Sequence, residues 1–305
     1  MLNVCKNKLL YLILPVVILI AGVAGYFIQG GFQQDVDFAG GSTLQISMGI
    51  TLNDAERKTI EDTVKEAAGL KIAPRVQMTG TGFTDVLIKT EEMNDEQTKA
   101  AFEAVKAAFA DELKDTEFGD VSNSLQTASY GNEMKRKTLM FSIIAAIAML
   151  IYILIRFDWK SSVMAVVSLL INVLSMLSVY VLFAIPLSAT FIAAILTILG
   201  YSINDTIVIF DRIRENTKFA KKMSHSEVAD KSIKESLTRT INTSITTLVP
   251  IVILYFMGAT TLKEFALPII IGVVVGSYTS IFVASPWAAA WKDAAAAAKK
   301  EKAGR

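Results

Sequence analysis

Sulfur and imidazole chemistry is almost missing from this chain: its 305 residues include one cysteine, Cys5, and one histidine, His225. A single thiol excludes an intramolecular disulfide, and one imidazole leaves no His/Cys cluster for zinc, so no structural metal site is expected. There is no Walker phosphate loop, no Gly-x-Ser-x-Gly elbow and no histidine inside an apolar run, which leaves no recognised enzyme chemistry and calls for no cofactor. Net charge is small, at +1, and no basic block resembles a nucleic-acid-binding tail. Apolar residues are what the chain has in quantity. They make up 52% of it, and the mean hydropathy of +0.46 is that of a membrane protein.

Lys6 and Lys8 precede an apolar run from Leu9 to Ile28. A signal peptide cleaved near Ala21 to Ala24 is one reading. The run has spanning length and exceeds a signal-peptide core, which favours an uncleaved first helix, kinked at Pro15. Further runs at Thr138 to Ile155, Ser162 to Phe183, Leu187 to Phe210, Ile241 to Met257 and Phe265 to Trp287 bring the expected spans to six, with both termini on one side. Basic residues assign that side. Lys6 and Lys8, Arg156 and Lys160, eight residues from Arg212 to Arg239 and five from Lys292 to Arg305 fall together, whereas the short opposite connections carry only Lys263. Both termini are therefore expected in the cytoplasm. Lys135, Arg136 and Lys137 run against this, but they follow a long segment, and long domains translocate largely regardless of charge.

The expected division is a cytoplasmic N-terminus and first helix over 1–29, an extracytoplasmic domain over 30–135, helices two to six over 136–290 with a cytoplasmic loop at 212–238, and a cytoplasmic tail over 291–305. Residues 30–135 have their own periodicity. Leu44, Ile46 and Met48 alternate with Gln45 and Ser47 as a strand; Leu52, Ala55, Ile60, Val64 and Ala67 follow helical spacing, opened by Thr51 with Asp54 and closed near Gly69. Val76 and Met78 alternate, Gly80-Thr-Gly82 turns, and Val86 and Ile88 continue. Asn94 with Gln97 opens a second helix, and a weaker strand covers Val121 to Leu125. This β-α-β-β-α-β order predicts a ferredoxin-like α+β domain with an antiparallel sheet, a binding or lever module with an acidic surface. Before it, Asp37-Phe-Ala-Gly40-Gly41-Ser42 is a hinge, a tight seat on the membrane helices or a plain loop.

One acid, Asp205, lies inside the fourth span. Seven residues separate it from Arg212, which at helical rise is roughly 10 Å, too far for a carboxylate to snorkel out. Such a group needs neutralisation, a partner or a water-filled path; proton or ion traffic is the functional reading, and a structural ion pair the alternative. Tyr201, Ser202 and Thr197 place hydroxyls one turn away, beside Asn204, while Gly200 and Ala194 leave room for a neighbouring helix. Asp211, next to Arg212, reads as a member of an interfacial ion pair. The connection from Asn216 to Thr238 holds a capping box, Ser224 with Glu227, opening a short surface helix. At the start of the fifth span Arg239 begins a polar stripe with Asn242, Thr243, Thr246 and Thr247, which should avoid lipid. Arg239 is either a positive-inside anchor or, on the strength of that stripe, a partner beside Asp205.

The stretch Gly200 to Asn216, the Asp37-Phe-x-Gly-Gly41 segment and Arg239-Thr-Ile-Asn-Thr-Ser244 resemble the signature segments of the SecF family. The resemblance covers nearly the whole chain; Asp35 departs from it, standing where the family commonly has glycine. It implies a six-helix half of a resistance-nodulation-division type bundle, with SecD as the other half and coupling-ion sites at the half interface. It also implies a subunit of a bacterial inner membrane that uses the proton-motive force to assist late preprotein export and release beside the SecYEG channel and the SecA motor, with YajC and YidC as further neighbours. Asp205 would then be this half's proton-relay group and Arg239 its basic partner. The competing readings are a non-transporting scaffold and half of a small-molecule exporter.

Overall fold

The computed structural model describes residues 3–79, 84–114, 116–126, 128–220, 223–257 and 260–303. Helix α1 spans Lys8–Ile28 with Pro15 inside it, and its exposed surface is apolar, with Leu9, Ile13, Val17 and Ile20 all outward. A short helix α2, Val36–Ala39, leads into strand β1, Gly41–Ser47. There follow α3 (Asp54–Ala68), β2 (Arg75–Thr79), β3 (Asp85–Thr90), α4 (Asp95–Ala108), a 3-10 turn at Phe118–Asp120 and β4 (Ser122–Gln126). The sheet order is β2-β3-β1-β4, and each adjacent pair is antiparallel. This is the ferredoxin-like domain expected from the sequence. The expected Gly80–Gly82 turn lies outside the described residues.

Alternation along the strands divides the sheet into two faces. Leu44, Ile46, Val76, Val86 and Ile88 are buried against Ile60 and Val64 of α3 and Phe102 and Val105 of α4. Helix α3 is capped by Asn53, whose side chain accepts from Ala55 N and Glu56 N at 2.9 Å while Glu56 returns a contact to Asn53 N. The cap is therefore Asn53 with Glu56, not Thr51 with Asp54: asparagine is the stronger N-cap, and glutamate the residue that closes the box from the third helical position. Gly69 ends the helix in left-handed geometry. Asn94 with Gln97 caps α4 in the same reciprocal way, as expected.

The remaining helices are α5 (Ala128–Arg156), α6 (Trp159–Leu182), α7 (Ala189–Phe219), α8 (His225–Met257), α9 (Thr260–Thr279) and α10 (Ser285–Ala303); a π-helical segment, Ser280–Ala284, joins the last two. Among the described residues six helical segments are long and apolar enough to cross a membrane, α9 to α10 counting as one. The helices run well beyond the apolar runs. Helix α5 begins ten residues before Thr138, and α8 continues without a break from the Ser224–Glu227 box into the fifth span. The surface helix expected over 224–237 is thus the first part of that span's helix, because backbone hydrogen bonding is indifferent to the change in hydropathy.

The α+β domain is seated on the bundle. The Asp37 to Ser42 segment packs against the start of α5, where a Cβ on Gly131 would lie 2.9 Å from Phe38 O and 3.0 Å from Gly40 N. Gly40 adopts φ 80°, and a Cβ on Gly41 would approach the Thr90 carbonyl oxygen to 2.2 Å. The contacts there are those of a close seat on α5. Gln34 bridges to Leu187 in the α6–α7 connection, and Asp35, 5% exposed, pairs with Lys89 at 2.7 Å. On the sheet face away from α3 and α4, Arg75 and Gln77 both reach Glu264 of α9, the ion pair measuring 2.9 Å.

A buried carboxyl group and its hydroxyl chain

The C-terminal half of the bundle is built on close contact of α7 with α9. Gly272 and Gly276 on α9 sit against Ile198 and Ser202; a Cβ on Gly276 would fall 2.1 Å from Ser202 Oγ and 2.7 Å from Asn172 Nδ2. Small residues four apart allow this approach. It brings Ser277, next along α9, to Asp205.

Asp205 is 2% exposed. Ser277 Oγ donates to its Oδ2 at 2.9 Å, and among the described residues no lysine, arginine or histidine pairs with it. From Ser277 the chain of hydroxyls continues: Ser277 Oγ and Ser244 Oγ of α8 lie 2.7 Å apart, and Tyr201 OH donates to Ser244 Oγ at 3.4 Å. Ser244 Oγ also contacts Thr240 O at 2.8 Å. One proton per hydroxyl permits two consistent patterns. With Asp205 ionised, Ser277 donates to it and Ser244 donates to Ser277. With Asp205 protonated, the acid donates to Ser277, Ser277 to Ser244, and Ser244 to the Thr240 carbonyl. Both states are hydrogen-bonded, and apart from the proton gained or lost at Asp205, passing between them requires only hydroxyl rotation. A second polar cluster lies beside the first: Asn172 donates to Ser202 Oγ at 2.6 Å, and Thr206 and Ser280 hydroxyls are 2.8 Å apart.

The residues read from the sequence divide between two sides of α7. Asp205 and Ser202 are buried, and Tyr201 joins the chain of hydroxyls. Asn204 is exposed and lines, with Asp211, Arg212, Glu235 and Arg239, an open groove of about 490 Å³ between α7 and α8. Arg239 and Asn242 are exposed, and Thr243 donates to the Arg239 and Thr240 carbonyls at 3.1 and 2.9 Å. Arg239 therefore does not pair with Asp205 in this chain: the carboxyl turns toward α9, whereas the guanidinium turns into the groove. Ala194 is buried, whereas among the described residues the space beside Gly200 is open, so the helix expected to approach there does not. Asp211 pairs with Arg156 at 2.7 Å and Arg214 at 3.3 Å, not with Arg212, which binds Glu215 and Glu235. Adjacent helix positions point about 100° apart, so sequence neighbours are poor partners.

Ser277 and Asn172 were not singled out in the sequence, and Ser244 was named only as the end of the Arg239 to Ser244 segment. A signal for two of them was present. Gly272-Val-Val-Val-Gly276 is a small-xxx-small pattern in an apolar run, with Ser277 at its end; Ser168, Asn172 and Ser175 recur on one face of α6 and are all buried.

Six spans, a buried carboxyl group with no ion pair among the described residues, a ferredoxin-like domain after the first span and a polar groove between α7 and α8 define a multi-pass membrane protein with an inserted α+β domain. The model of the family "Protein export membrane protein SecD/SecF, C-terminal" matches residues 99–294. The chain is 34% identical over 287 residues to protein translocase subunit SecF of Sebaldella termitidis, covering 93% of this chain and 90% of that one. It is 39% identical over 285 residues to SecF of Thermodesulfovibrio yellowstonii, covering 92% and 91%. Against protein translocase subunit SecDF of Thermus thermophilus identity is 34% over 297 residues, but the match spans 96% of this chain and only 39% of that protein. The crystal structure of the Thermus SecDF superposes with a TM-score of 0.75 at 30% identity over 94% of this chain and 38% of the other. The chain belongs to the SecD/SecF protein-export family, as a SecF-type member.

Proposed function

We propose that this chain is the SecF-type half of a proton-driven accessory to protein export, in which Asp205 takes up a proton from the outer side and releases it toward the cytoplasm. The observation that carries the reading is the buried carboxyl group whose side-chain partner among the described residues is the Ser277 hydroxyl, a group that can change protonation without breaking an ion pair there. Tyr201 lies one turn from Asp205 toward the α+β domain, so the hydroxyls lead outward from the acid. Carrying one charge across the membrane yields about 2.3 kcal/mol per 100 mV, enough to shift a two-state packing more than tenfold. The α+β domain, bonded to α9 and α5, would turn that shift into a hold on emerging polypeptide.

SecD is the proposed occupant of the groove between α7 and α8. A polar membrane face with Asn204, Arg239 and Asn242 exposed is costly in lipid, and a relative named SecDF carries its match in 39% of its length. Arg239, permanently charged, would act there as the fixed cation whose approach favours an ionised carboxylate, on Asp205 after rearrangement or on SecD. SecYEG, SecA, YajC and YidC are the proposed neighbours, the bacterial inner membrane the location, and both termini cytoplasmic.

The test is preprotein export in membrane vesicles lacking this chain, to which the chain is restored together with SecD. Restoration should recover the component of export that depends on an imposed proton gradient; equal export with and without the chain would reject the proposal. Within the same assay Ser277→Ala should lower the gradient-dependent component about tenfold, the usual weight of a hydrogen bond to a charged group. Membrane levels and co-purification with SecD should stay unchanged. Undiminished coupling would remove Ser277 from the path.

A further inference from the structure

At the end of the bundle remote from the α+β domain lies a cavity of about 410 Å³ that the proton path does not use. Its floor is apolar, made by Phe157, Phe210, Ile213 and Ala288, and its rim carries Arg156, Arg214, Lys218, His225, Lys292 and Asp158. We propose that this cavity binds an anionic phospholipid, its phosphate held by Arg214 and Lys218 and the start of an acyl chain on the floor.

The charges around the cavity are not equally free. Arg156 is engaged with Asp211 at 2.7 Å, and Lys292 with Asp158 at 2.8 Å. Asp293 is occupied at the start of α8, accepting from His225 N at 2.8 Å and Ser226 N at 3.0 Å. Lys218 is exposed and has no acidic partner among the described residues, and Arg214 has only the longer contact to Asp211 at 3.3 Å. They stand four residues apart on α7, hence one above the other on the same face and close enough to hold one phosphodiester between them. Depth agrees with a lipid headgroup. Trp159 at the start of α6 is 67% exposed and Phe219 at the end of α7 is 86% exposed, placing aromatic side chains at the level where they anchor at a membrane interface. The positive-inside tendency explains cations at this end of the bundle; it does not explain an apolar-floored cavity beneath them. The cavity faces a different side of α7 from the groove lined by Asn204 and Arg239, so a second half packed there leaves it open.

The experiment counts phospholipids retained by the purified full-length chain after equilibration with equal amounts of phosphatidylglycerol and phosphatidylcholine, by native mass spectrometry. The wild type should retain phosphatidylglycerol in preference by about tenfold. Arg214→Gln with Lys218→Gln should abolish the preference; Lys231→Gln with Lys234→Gln, the same charge change on exposed positions of α8, should not. Thr217→Trp, an exposed position at the rim, should plug the mouth and reduce retention with every charge in place, so a fold disturbed by losing two cations does not decide the outcome. Short-chain phosphatidylglycerol should displace the retained lipid, and inorganic phosphate at equal concentration should not. Absence of a preference, a preference indifferent to both the Arg214/Lys218 and Thr217 variants, or equal displacement by phosphate would each overturn the proposal.

Discussion

Asp205→Asn should abolish the gradient-dependent part of export while leaving the chain in the membrane at wild-type levels. The amide is nearly isosteric with the carboxyl and retains an oxygen to accept from Ser277, 2.9 Å away, so packing of α7 on α9 has no reason to change. What is lost is the titrating proton, and with it the means to draw about 2.3 kcal/mol per 100 mV from the membrane potential, a factor of roughly 50 in any equilibrium so driven. The comparison to make is vesicle export with and without an imposed gradient, for wild type, Asp205→Asn and Asp205→Glu. The asparagine variant should export at the uncoupled rate under both conditions, and glutamate should recover part of the difference. A full response to the gradient in the asparagine variant would make Asp205 a structural polar group and leave the chain a scaffold.

Gly41→Val should unseat the α+β domain. The first atom of any side chain there meets the Thr90 carbonyl oxygen at 2.2 Å and Val36 Cγ1 at 2.8 Å, and the carbonyl belongs to a backbone paired with β1 that cannot swing aside. Overpacking of this kind costs about 1–3 kcal/mol before backbone strain is added, which for a domain of this size corresponds to a fall in Tm of about 10 °C or more. Thermal unfolding of the purified protein, with limited proteolysis to locate the loosened part, reads this directly: cuts should appear first in the α+β domain. A melting curve matching the wild type would show that the strand pairing there yields more easily than its geometry implies.

The order of strands and helices, the six spans and the acid within the fourth were all legible from periodicity and composition, because each depends on residues close together in the chain. The partners of that acid were not. A stripe along one helix shows which residues share a face, but not which helix covers it; Asp205 and Arg239 share the logic of charge, yet α7 turns the first toward α9 and α8 leaves the second facing an open groove. Glycine spacing on α9 was the better guide, since it marks where two backbones meet. At the domain junction the sequence allowed a hinge, a seat or a plain loop, and the close contacts of Gly41 with Thr90 and Gly131 with Phe38 could not be read from it. The cap of α3 is Asn53 and not the expected Thr51, because Glu56 closes the box with Asn53.

Helix α9 holds the carboxyl group at Ser277 and the β-sheet at Glu264. Thirteen residues separate these positions, about 20 Å of helix. A single rod thus carries, at one end, the hydroxyl that reverses its donation when Asp205 changes protonation and, at the other, the carboxylate that pairs with Arg75 and accepts from Gln77. In the proposed coupling a shift at the first end would reach the second beneath the β2 edge of the sheet, along a stretch of α9 that holds Pro268, Gly272 and Gly276. Under that proposal the stiffness of α9 would set the gearing between a proton and the domain above it.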